Sequence, residues 1–172
     1  MDSAGPEGIQ LVRENIRKVN PQAIVIDAAS PISVDDPSLI KGKRVLVVED
    51  GPTLTHGQMT LGAGTVAALK FGAAECVDPR PFIVGKLAET FETYPGIGAL
   101  LPAMGYGEQQ TRDLEATINN TDCDAVVIGT PIDLNRVIKI NKPSTRVNYD
   151  LQEIGYPDLA SVLDDFLAKK LP

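Results

Sequence analysis

The chain reads as an α/β protein: three layers, a mainly parallel or mixed sheet with helices on both faces, in a Rossmann-like arrangement. Three observations predict it. Runs of about four apolar residues, at 23–26, 45–48 and 125–128, have the length and composition of strands buried on both faces. Segments with helical periodicity lie between them. Several of the apolar runs end in glycine, proline, aspartate or threonine, the composition of loops at a sheet edge.

The first element is a helix over 8–20. Ile9, Leu11, Val12, Ile16 and Val19 lie along one face, charges at Arg13, Glu14, Arg17 and Lys18 occupy the other, and Asn20-Pro21 stops it. Ala23 to Ile26 is expected as a buried strand leading into Asp27-Ala28-Ala29-Ser30-Pro31, and 35–42 is a polar loop. Arg44 to Val48 is the next strand. Gly62-Ala63-Gly64 opens a helix through Leu69, and Gly72 closes it where glycine tolerates positive φ.

A strand at 74–77 follows, then the stiff turn Asp78-Pro79-Arg80-Pro81 and a helix over 84–94 that ends before Pro95. A short apolar run at 99–101 precedes Pro102-Ala103-Met104-Gly105-Tyr106-Gly107. The helix over 108–120 turns Leu114 and Ile118 inward, and Ala125 to Ile128 is the next buried strand. A short helix over 136–139, the turn Asn141-Lys142-Pro143, an alternating strand over 145–151 and an amphipathic helix over 158–170 complete the chain. Alternating strands and helices predict parallel pairing with both faces covered.

At 172 residues, with 43% apolar content and few aromatics, one domain spanning 1–172 is the simplest organisation. A net charge of −7 argues against nonspecific binding to nucleic acid or anionic membranes. No apolar run approaches the roughly 20 residues that span a bilayer, and the polar start lacks the basic and then apolar pattern of a secretion signal. The expected location is cytoplasmic. Cys76 and Cys123 lie far apart beside predicted strands, so the sequence indicates neither a thiol redox motif nor a zinc site.

Chemistry concentrates at Glu49-Asp50-Gly51-Pro52-Thr53-Leu54-Thr55-His56-Gly57, which follows the 45–48 run and holds the chain's one histidine. Open parallel sheets bind ligands beyond the carboxyl ends of their strands. Backbone N–H groups of Gly51, Gly57, Gly62 and Gly64, with the hydroxyls of Thr53 and Thr55, are candidate phosphate donors beside a helix start. Glu49 and Asp50 are candidate magnesium ligands, and Asp50 and His56 candidate catalytic groups. The alternative is a Gly51-Pro52 turn, a capping Thr55 and a surface His56.

Arg80, fixed between prolines, suits a bidentate phosphate or carboxylate contact, or an ion pair with Asp78. Asp133 is expected to cap the helix that contains Arg136. Asn141 and Lys142 are further phosphate candidates, although an exposed turn lysine is the ordinary case. No G-x-x-x-x-G-K-[S/T] occurs, since Gly62-Ala63-Gly64-Thr65 lacks the lysine, and no G-x-S-x-G elbow is present.

Taken together, the stretch Gly42 to Gly57, Val77-Asp78-Pro79-Arg80-Pro81, Leu101 to Tyr106, Gly129-Thr130-Pro131-Ile132-Asp133-Leu134 and Ile140-Asn141-Lys142-Pro143 resemble the C-terminal part of the predicted GTPases related to cyclic 2,3-diphosphoglycerate synthetase. The resemblance runs from about Val12 to Leu163. It implies that residues 1–40 correspond to the tail of a nucleotide-binding GTPase domain, with Asp2 in place of a base-reading aspartate supported by Ala28-Ala29-Ser30. Residues 41–172 would then be the family's C-terminal domain.

For the full-length family the resemblance implies magnesium, ATP or GTP, and ATP-dependent closure of a phosphoanhydride. A highly charged substrate of that kind needs many cationic and N–H contacts. The expected function is therefore the phosphate-ligand side of such an enzyme, inactive alone without the phosphate loop. The expected partners are a phosphorylated small molecule or nucleotide, or a separately encoded phosphate-loop subunit. The contrasting expectation is a noncatalytic domain that docks on such a subunit or pairs with itself.

Overall fold

A computed structural model describes residues 5–56 and 60–170. They fall into two compact units, one running to Pro31 and resuming at Tyr149, the other spanning Ile32 to Asn148.

The central unit is built on β3 (Arg44–Asp50). β2 (Ile32–Val34), β4 (Glu75–Cys76), β5 (Leu101–Ala103), β6 (Ala125–Gly129) and β7 (Ser144–Tyr149) complete its sheet in the order β2-β7-β6-β3-β4, with β5 also on β3. The pairs β3 with β4, β5 and β6, and β6 with β7, are all parallel, as the strand-helix alternation requires. Successive side chains of a strand point to opposite faces. Val45, Leu46, Val47 and Val48 are all fully buried, so both faces of β3 are covered.

β4 and β5 share one side of β3 at different heights. β4 pairs at Arg44 and Val45, while β5 pairs at Val48 to Asp50. Val48 pairs with Ile128, which in turn pairs with Arg146, so the ends of β3, β5, β6 and β7 define one rim.

The helices of this unit are α2 (Gly51–His56), α3 (Ala63–Lys70), α4 (Leu87–Thr93) and α5 (Glu108–Asn120). α3 lies on the face of β3 that carries Val47 and Glu49, and Gly72, with φ +78°, follows its end. α5 keeps the boundaries its periodicity predicts and buries Leu114 and Ile118. The segment after β3 begins as a short helix rather than a glycine-rich loop, anchored where the Asp50 carboxylate accepts from Thr53. The helix expected at 136–139 is instead a 3-10 turn at Leu134–Arg136, capped by Asp133, which accepts from the Asn135 N–H over 3.2 Å.

The other unit holds α1 (Pro6–Val19), the antiparallel pair β1 (Ala28–Ala29) with β8 (Gln152–Glu153), and α6 (Leu159–Lys170). Arg13 and Asp27 form an ion pair at 2.5 Å, and Asp158 caps α6 by accepting from the Ser161 N–H at 2.7 Å. The buried strand expected at 23–26 is absent. That stretch has no regular structure, and Ile24 and Val25 are exposed.

Among the described residues no helix is long and apolar enough to cross a membrane. Cys76 and Cys123 are half-buried free thiols, and burial raises the pKa of both.

Candidate functional site

Glu49 and Asp50 are adjacent in sequence and belong to different environments, because strand alternation turns them to opposite faces. Glu49 is buried against the start of α3. Its Oε1 accepts from the N–H groups of Gly62 (3.1 Å) and Thr65 (2.7 Å) and from the Thr65 hydroxyl (3.0 Å). Oε2 accepts from the Gly64 N–H at 3.1 Å.

A helix N-terminus presents unpaired donors and a positive dipole end, and here the protein's own carboxylate occupies it. The N–H groups of Gly62 and Gly64, candidates for phosphate in the sequence, are thus engaged by Glu49. Burial pushes the Glu49 carboxyl up, and the four donors pull it back in part.

Two glycines make this close approach feasible. A Cβ on Gly64 would meet Val47 Cγ1 at 2.8 Å and Glu49 Oε1 at 3.2 Å. A Cβ on Gly129 would meet Glu49 Oε2 at 2.6 Å and the Gly64 N at 2.8 Å.

Asp50 ends β3 at the rim. Its Oδ2 accepts from the Thr53 N–H (3.2 Å) and hydroxyl (2.7 Å), and its Oδ1 has no hydrogen-bond partner among the described residues. Thr55 is buried and donates to the Gly51 carbonyl at 3.1 Å. Gly51 lies against the end of β5, where a Cβ would meet the Ala103 carbonyl at 2.6 Å. The His56 side chain and Gly57 lie outside the described residues, as does Asp2.

Three rim residues were not singled out from the sequence as site candidates. Tyr106, beyond β5, has its hydroxyl pKa raised by burial and by the nearby Asp50 charge, with Thr130 acting the other way, so it stays protonated as a donor. Thr130, beyond β6, is buried and donates to the Ile132 carbonyl at 2.7 Å. Arg146 lies on β7, where its Nη2 donates to the Pro131 carbonyl at 3.4 Å and its Nη1 stands 4.0 Å from Asp133. Its Nε is buried with no hydrogen-bond partner among the described residues. The available signal was a lone arginine between the buried Thr145 and Val147 of an alternating strand.

The remaining candidates are engaged by other partners. β4 ends beside Val45, five residues before Asp50, roughly 16 Å at about 3.3 Å per residue. Arg80 is committed to Asp78 (2.9 Å), to the Ile97 carbonyl (2.5 Å) and to the Phe91 ring face (4.8 Å). Asn141 and Lys142 precede β7, so they lie at the opposite edge of the sheet, beside the start of β6. Lys142 Nζ donates to the Asn119 carbonyl at 2.6 Å, and the Asn141 N–H donates to Asn119 Oδ1 at 2.9 Å. Both serve the C-terminus of α5.

Magnesium with phosphates is commonly held by one or two carboxylates. Asp50, with Oδ1 open, fits that role; Glu49, with both oxygens engaged, does not. Among the described residues no group of three or more His, Cys, Asp or Glu side chains is placed to hold a metal.

The fold is a Rossmann-like α/β arrangement whose strand ends converge on a rim of an acid, hydroxyls and a guanidinium. The chain is 61% identical over 166 residues to the arginine synthetase ArcE of Thermococcus kodakarensis, a match covering 96% of this chain. It spans 37% of that relative's length. No family model matches the chain.

Proposed function

We propose that this chain is a portion of an ArcE-like, nucleotide-dependent ligase and that it supplies the phosphate-bearing side of the site. The observation that carries the reading is the unpartnered, buried Arg146 Nε at the same rim as the open Asp50 Oδ1. The 61% identity to a protein named arginine synthetase supports it. In one class of nucleotide-dependent ligase ATP transfers its γ-phosphoryl group to a substrate oxygen with release of ADP, and a nitrogen nucleophile then displaces that oxygen as phosphate.

Under this reading Arg146 faces the phosphoryl oxygens, where a preorganised guanidinium stabilises developing charge. Tyr106 donates from its hydroxyl, Thr130 holds the loop after β6 through the Ile132 carbonyl, and Asp50 holds magnesium or a substrate amine. The resemblance to cyclic 2,3-diphosphoglycerate synthetase supports the same phosphate-facing role with a different acceptor, and arginine chemistry is the reading that the relative favours.

The test is calorimetric titration of the chain with ATP, ADP, inorganic phosphate and arginine, with and without magnesium. Binding of a phosphate-bearing ligand is expected, weakened at least tenfold by Arg146→Gln and by Asp50→Asn in the presence of magnesium. Absence of heat with every ligand on a folded chain overturns the reading.

A further inference from the structure

The unit formed by residues up to Pro31 and from Tyr149 onward has an apolar surface without an apolar core. Among the described residues, every buried apolar side chain lies between Ile40 and Val147, within the other unit. α1 carries Ile9, Val12, Ile16 and Val19 at spacings of three, four and three, the seam of a helix that packs along a neighbour, yet none of its residues is buried. Val12 is 58% exposed and Val19 87%. α6 repeats the pattern, with Leu163 and Phe166 about half exposed and no residue buried.

Helices of 14 and 12 residues are marginal in water unless such a face is covered. Between α1, the stretch before β1 and Leu151 runs a groove of about 520 Å³, lined mainly by Ile9, Val12, Ile16, Val25, Leu151 and Ile154. Contiguous exposed apolar surface of this kind marks an interface.

We propose that this face docks onto a polypeptide equivalent to the part of the arginine synthetase that lies outside the matched stretch. The inference rests on the reading that the chain is a portion of an ArcE-like ligase, and it names the occupant. Nearly two thirds of that relative has no counterpart in these residues, which is length enough for a further domain. The match nevertheless covers almost all of this chain, so its apolar helices belong to a sequence shared with a protein that possesses that further length.

The test co-expresses the full chain with the unmatched portion of the Thermococcus relative and measures mass by light scattering after gel filtration. A one-to-one complex is expected, weakened at least tenfold by Val12→Asp and, on a separate segment of the groove, by Leu151→Asp. Both positions are exposed, and the variants should keep the circular dichroism of the parent. A homodimer dispersed by the same substitutions would assign the face to a second copy and overturn the proposal. A monomer that forms no complex overturns it as well. Arg146→Gln should leave the complex intact while losing phosphate-ligand binding, so failure at the rim and failure of docking are read separately.

Discussion

The Thr65 N–H donates to Glu49 Oε1 over 2.7 Å, and the Thr65 hydroxyl donates to the same oxygen over 3.0 Å. A buried carboxylate thereby fixes the start of α3 to the end of β3. In Glu49→Gln an amide NH2 faces donors on one side, leaving at least one buried N–H unpaired. The expected loss is about 1–3 kcal/mol, read as a lower midpoint in urea unfolding. Binding at the rim should be unchanged where the variant is folded.

Gly129 and Gly64 meet over the Glu49 carboxylate, so the space for a methyl group at 129 is occupied by backbone. Gly129→Ala should destabilise by about 1–3 kcal/mol, because the backbone of α3 has to move. Gly96 has nothing within 4 Å of a built Cβ, and Gly96→Ala should leave the unfolding midpoint unchanged within error. The two variants compared in one denaturant series isolate the close approach.

Lys142 separates the two edges of the sheet. Its ammonium closes the last turn of α5, so Lys142→Ala should cost about 0.5–1 kcal/mol and leave ligand heat at the rim unaltered. Weakened binding by more than about threefold would return Lys142 to the site.

Acidity acts on α1 and α6 through two exposed carboxylates. The Arg13 guanidinium holds Asp27 below the ordinary aspartate range, and the Ser161 N–H does the same for Asp158. A depressed folded-state pKa means stabilisation that is present above the ordinary value and lost as pH falls through the depressed one. As pH falls below about 4, amides of α1 and α6 should lose hydrogen-exchange protection through these two groups. Asp27→Asn and Asp158→Asn should each flatten that dependence for its own helix.

Much of the central sheet was legible because its signals are local. The run at 45–48 is buried on both faces, and the 108–120 helix turns Leu114 and Ile118, four residues apart, to one buried face. Ile24 and Val25 defeated the same logic. An apolar run reports that burial is wanted, and the other described residues leave Ile24 and Val25 exposed.

The site was less readable. Glu49 and Asp50 look equivalent in sequence, and only strand phase assigns one to α3 and the other to the rim. Arg80 follows a strand that stops low on β3, a matter of register that the sequence does not reveal. Lys142 stands before its strand rather than after it, and that order alone places it at the far edge.

Because Glu49 already plugs the N-terminus of α3 from within, inorganic phosphate has no vacancy to fill there. Any rise in melting temperature on adding phosphate to this protein therefore reports on other surfaces, and a thermal-shift screen starts with its most obvious false positive removed.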